Sequence, residues 1–228
     1  MKKFILLLCL LMLTACNNTT TRNATTQLNG ISDPSYRGNF QTKKMVVLSF
    51  GMPVPERQTL EHTLAQSLVK YDIKILSGLD IFPPTRGYSE EDINKIVQSK
   101  EIYKIAENQG ADTILIISSY DRDISEEYIA PTYHPGKSTK YVSVFENSTV
   151  VDTYETPAHT TGGYTISRPG MKVKVRLDSV KNKETIWMAE GSSGGGDFAS
   201  FSDLAASVAE TTIEKLSKEG LIALKKRR

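Results

Sequence analysis

The sequence predicts an α/β fold, with an α+β arrangement as the alternative, built as one domain of two or three layers around a mixed sheet. Two apolar runs, residues 45–50 and 113–117, have the length and β-branched content of buried strands. Between them, leucine and isoleucine recur every three or four residues, which is typical of amphipathic helices. Strands that alternate with helices in this way favour a layered domain, which we expect over residues 43–224.

The predicted elements follow the order β-α-β-α-β, then an insertion of β-hairpins, and then β-β-α. Leu60, Leu64 and Leu68 share one face of a helix predicted over residues 56–70. A short strand is predicted over residues 72–76, directly after this helix.

The second helical segment begins at Ser89, where a serine followed by acidic residues has the pattern of a capping box. Its apolar stripe breaks near Ser99 and then resumes. Gly110 stands where a helix of this length would end. The segment therefore leads directly into the buried strand over 113–117.

The C-terminal part of the chain predicts two paired strands and a last helix. Apolar and charged residues alternate over 171–178, as in a half-buried strand, and residues 185–189 return as its partner. We expect a flexible link over the glycine-rich residues 191–196. The last helix is expected to be capped by Ser200 or Ser202.

The first fifteen residues, 1–15, have the features of a secretory signal peptide. Two lysines precede an apolar run that is shorter than the about 20 residues needed to cross a bilayer. The Leu-Thr-Ala-Cys that ends at Cys16 resembles the lipobox of bacterial lipoproteins. This resemblance implies cleavage before Cys16, which would then carry a diacylglycerol and an N-acyl chain such as palmitate. Asn17 implies delivery to the outer membrane, facing the periplasm, in a Gram-negative cell.

Composition excludes some classes of protein and partner. Of 28 Lys and Arg, two lie in the signal peptide, which leaves 26 against 26 Asp and Glu. Such a neutral chain is not expected to bind nucleic acid. Cys9 lies in the signal and Cys16 would carry lipid, so we expect no disulfide and no cofactor beyond that lipid. Residues 16–42 are predicted to be a flexible tether, and residues 225–228 a basic tail.

A family resemblance is carried by the strand over 45–50, the Gly-Ala-Asp-Thr-Ile-Leu-Ile of residues 110–116, the strand with Trp187 and the closing residues 214–222. These resemble a broad group of bacterial envelope lipoproteins with an α/β fold similar to the N-terminal domain of TolB. The group includes the curli secretion-pore lipoprotein, lipoprotein activators of penicillin-binding proteins and the Pel polysaccharide-export lipoprotein.

What this resemblance implies is a membrane-anchored, non-catalytic role in assembly, export or regulation. The partners implied are the lipid bilayer, other envelope proteins and further copies of the same chain. Both a ring-forming export component and a monomeric activator of a cell-wall enzyme fit this description, and the sequence does not choose between them.

The insertion, residues 121–169, is rich in tyrosine, threonine, glycine and proline. Tyrosine combines apolar area with a polar tip, which suits protein interfaces. We therefore predict that the insertion contains the partner-binding residues, namely Tyr128, Tyr133, Tyr141, Phe145 and Tyr154. The alternative is that these rings pack on hairpins of their own domain.

Catalytic and metal-binding motifs are missing from the sequence. It contains neither H-E-x-x-H, which builds a zinc site, nor G-x-S-x-G, which exposes a nucleophilic serine. We therefore expect no catalytic residue and no metal site. Two alternatives stay open. One is a periplasmic hydrolase that uses the acids of 121–127 with His134 or His159. The other is a small-ligand or metal carrier in which those two histidines approach each other.

Overall fold

The computed structural model describes residues 23–36, 42–145 and 148–223, with the side chains of 143–145 and 148–152 excepted. The predicted signal peptide, Cys16 and the basic tail 225–228 lie outside the described residues. The strands are β1 (Ala24–Ser32), β2 (Lys44–Phe50), β3 (Lys74–Ser77), β4 (Thr113–Ile129), β5 (Thr132–His134), β6 (Lys137–Phe145), β7 (Ser148–Thr156), β8 (His159–Thr161), β9 (Tyr164–Ser179) and β10 (Glu184–Gly195). The helices are α1 (Val54–Leu68), α2 (Gly78–Ile81), α3 (Glu90–Gln98), α4 (Glu101–Asn108) and α5 (Phe201–Lys218).

Six strands form one mixed sheet in the order β1-β10-β9-β4-β2-β3. β2 is parallel to β3 and β4, whereas the remaining neighbours are antiparallel. One hydrophobic cluster joins α1 and α5 to one face of the sheet, and a second joins α3 and α4 to the other face. The predicted α/β class with a mixed sheet is therefore confirmed, in three layers. No helix of the described residues is long and apolar enough to span a membrane.

The helix boundaries follow from local capping chemistry. Ser89 and Asp92 form a reciprocal capping box at the start of α3, and the hydrogen bonds from Ser89 lower the pKa of the Asp92 carboxyl. Ser200, rather than Ser202, caps α5 in the same way with Asp203. The predicted break near Ser99 is confirmed, because α3 and α4 are separate helices.

The predicted tether over 16–42 is wrong for residues 24–32, which form β1 and pair with β10 along their whole length. The strand escapes detection because Leu28 is its only buried apolar side chain. Gly30 lies beneath Trp187, where an added Cβ would come within 2.8 Å of the indole nitrogen. The Thr26 hydroxyl lies 2.8 Å from the hydroxyls of both Ser193 and Ser207, so it donates its one proton to one of them and accepts from the other. The contacts of β1 with its neighbours therefore require a small residue at Gly30 and a polar one at Thr26.

The glycine-rich residues 191–196 were expected to be a flexible link, and this expectation is also wrong. Residues 191–195 extend β10 between β1 and β9. A Cβ on Gly191 would lie 1.8 Å from the carbonyl oxygen of Gln27, so only glycine permits this approach of the two strands. Both errors have one cause. The glycines are needed because β1 approaches β10 closely, and neither strand can be recognised in the sequence without the other.

Two buried polar side chains of the body, Asp178 and Trp187, have well-defined hydrogen-bond partners. Asp178 is fully buried and accepts hydrogen bonds from the Tyr103 hydroxyl at 2.9 Å and the Thr185 hydroxyl at 2.8 Å. Burial raises the pKa of Tyr103 to about 12, and the Asp178 charge adds to this effect. The Trp187 indole donates to the Glu219 carboxylate at 3.0 Å, which ties β10 to the end of α5.

We expect Leu28→Ala to lower the free energy of unfolding by about 2–5 kcal/mol, because it removes a buried side chain from the cluster that holds α1 and α5. Ile31→Ala, in the same strand, is the matched control. Its side chain is 75% exposed, so the change should stay within about 0.5 kcal/mol. Urea denaturation measures both, and equal small effects would contradict the assignment of β1 to the sheet.

Candidate functional site

The insertion forms a two-stranded arm that continues β4 and β9 beyond the six-stranded sheet. We call residues 121–169 the arm. The two strands stay in register from Asp123 opposite Gly170 to Ile129 opposite Tyr164. Two further ladders, β5 with β8 and then β6 with β7, extend this two-stranded ribbon away from the sheet. The predicted insertion of β-hairpins is thus confirmed, as three successive ladders of one ribbon.

The predicted partner-binding tyrosines are exposed along this arm. Four of them each have between 59% and 72% of their surface accessible, namely Tyr128, Tyr133, Tyr141 and Tyr154. The rings of Tyr141 and Tyr154 meet edge to face, with centroids 6.2 Å apart. Phe145 pairs with Ser148 through β6 and β7, and its side chain lies outside the described part of the chain. The structure therefore brings two of the five predicted residues together and places Tyr128 and Tyr133 nearer the body.

Neither hydrophobic cluster of the described residues contains a residue of the arm. Among the five predicted residues, as far as their side chains are described, the alternative of packing within their own domain is met by the Tyr141–Tyr154 contact within the arm. Two-stranded ribbons are marginally stable in water by themselves. The arm is therefore held by its continuity with the sheet and by contacts at its base.

Arg122 holds the base of the arm. The ladder shifts register between Tyr120 and Asp123, and Arg122 lies at this bulge. Its guanidinium makes two hydrogen bonds of 2.7 Å to the two carboxylate oxygens of Glu56, in the first turn of α1. It also donates to the carbonyl of Gly51 at 3.1 Å and stacks 4.1 Å from the ring centroid of Phe201.

Arg122 lies between Asp121 and Asp123 in the sequence, a setting typical of a solvated loop, but the structure buries most of its side chain. Its side chain is only 22% exposed. The ion pair with Glu56, which no sequence pattern indicated, joins residues far apart in the chain. A planar guanidinium can bind both oxygens of a carboxylate at once, so the pair fixes the direction in which β4 leaves the sheet.

A second buried carboxylate, Glu61, lies one and a half turns further along α1. It accepts hydrogen bonds from the hydroxyls of Ser49, at 3.0 Å, and Ser77. Burial raises the pKa of Glu61, and the hydrogen bonds from Ser77 and Ser49 oppose that rise. Both carboxylates of this helix are thus engaged by side chains of the fold. Their arrangement joins α1 to β2 and β3.

The acids and histidines of the hydrolase alternative are not brought together. Asp121 pairs with Lys172, and Glu127 pairs with Arg168 at 2.8 Å. His134 and His159 lie on the β5–β8 ladder, further along the arm. Within residues 23–36, 42–145 and 148–223, no three His, Cys, Asp or Glu side chains are grouped so that they could hold a metal ion.

The start of β1 and the base of the arm lie at the same end of the sheet. Ala24 is opposite Gly195, and the neighbouring Gly194 is opposite Gly170. Gly170 in turn is opposite Asp123, the first paired residue of the arm. The chain that precedes β1 therefore enters the domain within about 15 Å of the arm, three strand spacings of ~4.8 Å.

We expect Arg122→Lys to lower the free energy of unfolding by about 1–2 kcal/mol, because an ammonium cannot bind both oxygens of Glu56. Amide hydrogen exchange over residues 123–129 should become faster, since the arm loses its fixed base. Lys172→Ala is the control at the same bulge. It removes an exposed ion pair with Asp121 and should change neither quantity measurably. Unchanged exchange in Arg122→Lys would contradict this role.

No protein-family model and no curated protein matches the sequence. Among solved structures, this chain is similar to the PelC dodecamer from Paraburkholderia phytofirmans, with 15% identity, a TM-score of 0.43 and coverage of 86% of this chain and 98% of that one. It is also similar to the lipoprotein GNA1162 from Neisseria meningitidis, with 14% identity, a TM-score of 0.40 and coverage of 77% and 98%. At such scores a likeness implies nothing about shared activity.

Proposed function

We propose that this chain is a membrane-anchored, non-catalytic lipoprotein of the bacterial cell envelope, whose arm docks onto other envelope proteins. The observation that carries this proposal is the exposure of Tyr128, Tyr133, Tyr141 and Tyr154 on a ribbon that belongs to neither core. Large exposed aromatic side chains that are grouped on one element mark interaction surfaces. Tyrosine supplies contact area there at a low cost in side-chain entropy.

Docking would bury tyrosine side chains that the arm exposes to water. Its strands are ordered, so most of the backbone entropy cost of forming an interface is met before a partner arrives. Burial of several tyrosine rings would then contribute directly to affinity. Lys137 and Lys140 on β6 and Glu155 on β7 would give that contact its polar rim.

The membrane anchor would confine the arm. With lipid on Cys16 and β1 beginning at Ala24, the connecting residues span at most about 28 Å at ~3.5 Å per residue. Residues 123–145 of the arm, if straight, reach up to roughly 75 Å at ~3.3 Å per residue. The base of the arm would therefore lie close to the bilayer, and confinement to the membrane would raise the effective concentration of partners within reach of the arm.

A non-catalytic role is supported by how the buried charges are used. Glu56 is bound by Arg122, and Glu61 is bound by Ser49 and Ser77. These groups are held by neighbouring side chains, whereas a general acid or base must face a substrate. The sequence motifs for nucleophilic and zinc catalysis are missing as well.

The anchor is tested with the two cysteines of the chain. We expect Cys16→Ser to abolish incorporation of labelled palmitate and to release the protein from the membrane fraction, because no thiol remains at the lipobox. Cys9→Ser, within the signal, should be labelled and sedimented like the wild type. Equal labelling of both variants would place the lipid elsewhere and overturn the anchor.

Docking is tested with a photo-reactive phenylalanine analogue at Tyr141 or Tyr154 in intact cells. We expect ultraviolet light to cross-link these positions to one or a few envelope proteins, or to a second copy of this chain. Tyr88 provides the control position, because it is 41% exposed on the body and packs on Phe82. Cross-links that join the arm only to lipid, or that are equally frequent at Tyr88, would contradict docking through the arm.

A further inference from the structure

The arm brings two of the three histidines of the chain into contact. His134 on β5 is directly opposite His159 on β8. Their rings are stacked, with centroids 4.9 Å apart and planes inclined by 20°. Both residues are exposed. Residues directly opposite each other in an antiparallel pair have Cβ atoms about 4.5–5.5 Å apart, so both imidazoles can reach one ion at ~2.0–2.1 Å.

The second ring nitrogen of each histidine already has a partner. Nδ1 of His159 lies 3.5 Å from the carbonyl oxygen of Pro157, which can only accept a hydrogen bond. When Nδ1 carries the proton and donates it there, the lone pair is on Nε2. Nε2 of His134 lies 2.8 Å from the Thr161 hydroxyl, and when it donates there the lone pair is on Nδ1. Each ring thus has one unprotonated nitrogen that can bind a metal ion.

The ladder that carries the pair is fixed by its backbone at both ends. Gly162 has φ +91°, and an added Cβ would come within 2.3 Å of the carbonyl oxygen of Ala130. At the other end, a Cβ on Gly136 would lie 2.9 Å from the carbonyl oxygen of Thr156. Only glycine permits these approaches. The opposition of His134 and His159 is therefore set by close backbone contacts, although the arm has no core of its own.

We propose that His134 and His159 chelate one transition-metal ion that prefers imidazole, namely Cu²⁺, Ni²⁺ or Zn²⁺. A turn of each ring about its Cβ–Cγ bond exchanges the stacking, and the present hydrogen bonds to Thr161 and Pro157, for coordination of one ion, and the exposed rings have room for it. The other coordination positions would be filled by water or by a ligand of a docked molecule. Mg²⁺ and Ca²⁺ prefer oxygen ligands and would not compete.

The direct test is calorimetric titration of the full chain, purified in detergent without a histidine tag, with Cu²⁺, Ni²⁺, Zn²⁺ or Mg²⁺. We expect one ion per chain, the tightest binding for Cu²⁺ and no binding of Mg²⁺. His134→Gln and His159→Gln should each weaken binding about tenfold or more, because one ligand alone cannot chelate. His62→Gln is the matched control, since His62 is exposed on α1 and hydrogen-bonded to Gln66.

Nuclear magnetic resonance of the histidine rings in the wild type gives a measurement that needs no variant. Substoichiometric Cu²⁺ should broaden the ring signals of His134 and His159 and leave those of His62 sharp. The proposal is overturned if the wild type binds no Cu²⁺ at roughly tenfold excess, if the double variant His134→Gln/His159→Gln binds like the wild type, or if His62 is broadened equally.

Discussion

The antiparallel ladder between β4 and β9 is the interaction on which both parts of the molecule depend. From Thr113 opposite Ser179 to Tyr120 opposite Lys172, it lies in the middle of the sheet. From Ile124 opposite Pro169 onward, it has no neighbouring strand among the described residues. The same two strands are thus buried at one end and exposed at the other. The arm takes its order from the core while adding no side chain to either hydrophobic cluster.

The transition between these two parts is made at one bulge. Asp121 has φ 50°, and the register shift directs Arg122 towards α1, where it binds Glu56. Burial of a charged pair costs desolvation energy, which short bidentate hydrogen bonds and the Gly51 carbonyl offset here. An apolar pair would not specify a direction. The charged pair therefore gives the arm a defined angle to the body.

The sequence predicted those parts of the fold that local patterns determine. The two apolar strands, the Ser89 capping box and the alternation over 171–178 are each visible in a few neighbouring residues. β1 was not predicted because the need for glycine at position 30 arises from contact with Trp187, which is distant in the chain. The role of Arg122 was missed for the same reason, because its partner Glu56 is distant in the chain. The exposed tyrosines were predicted from composition. The approach of the two histidines was one of the alternatives that the sequence left open, and the register of β5 and β8 decides it.

The way the arm is divided indicates how it can recognise a partner. Prolines at 131, 135 and 157 and glycines at 136, 162 and 163 interrupt the ribbon between its three ladders. A proline has no backbone N–H, and charged side chains further discourage the addition of a foreign strand at an exposed edge. The outer edges of the arm are therefore poor templates for continued β-pairing. Recognition must then depend on side chains, and the largest exposed side chains that the structure describes there are the tyrosines.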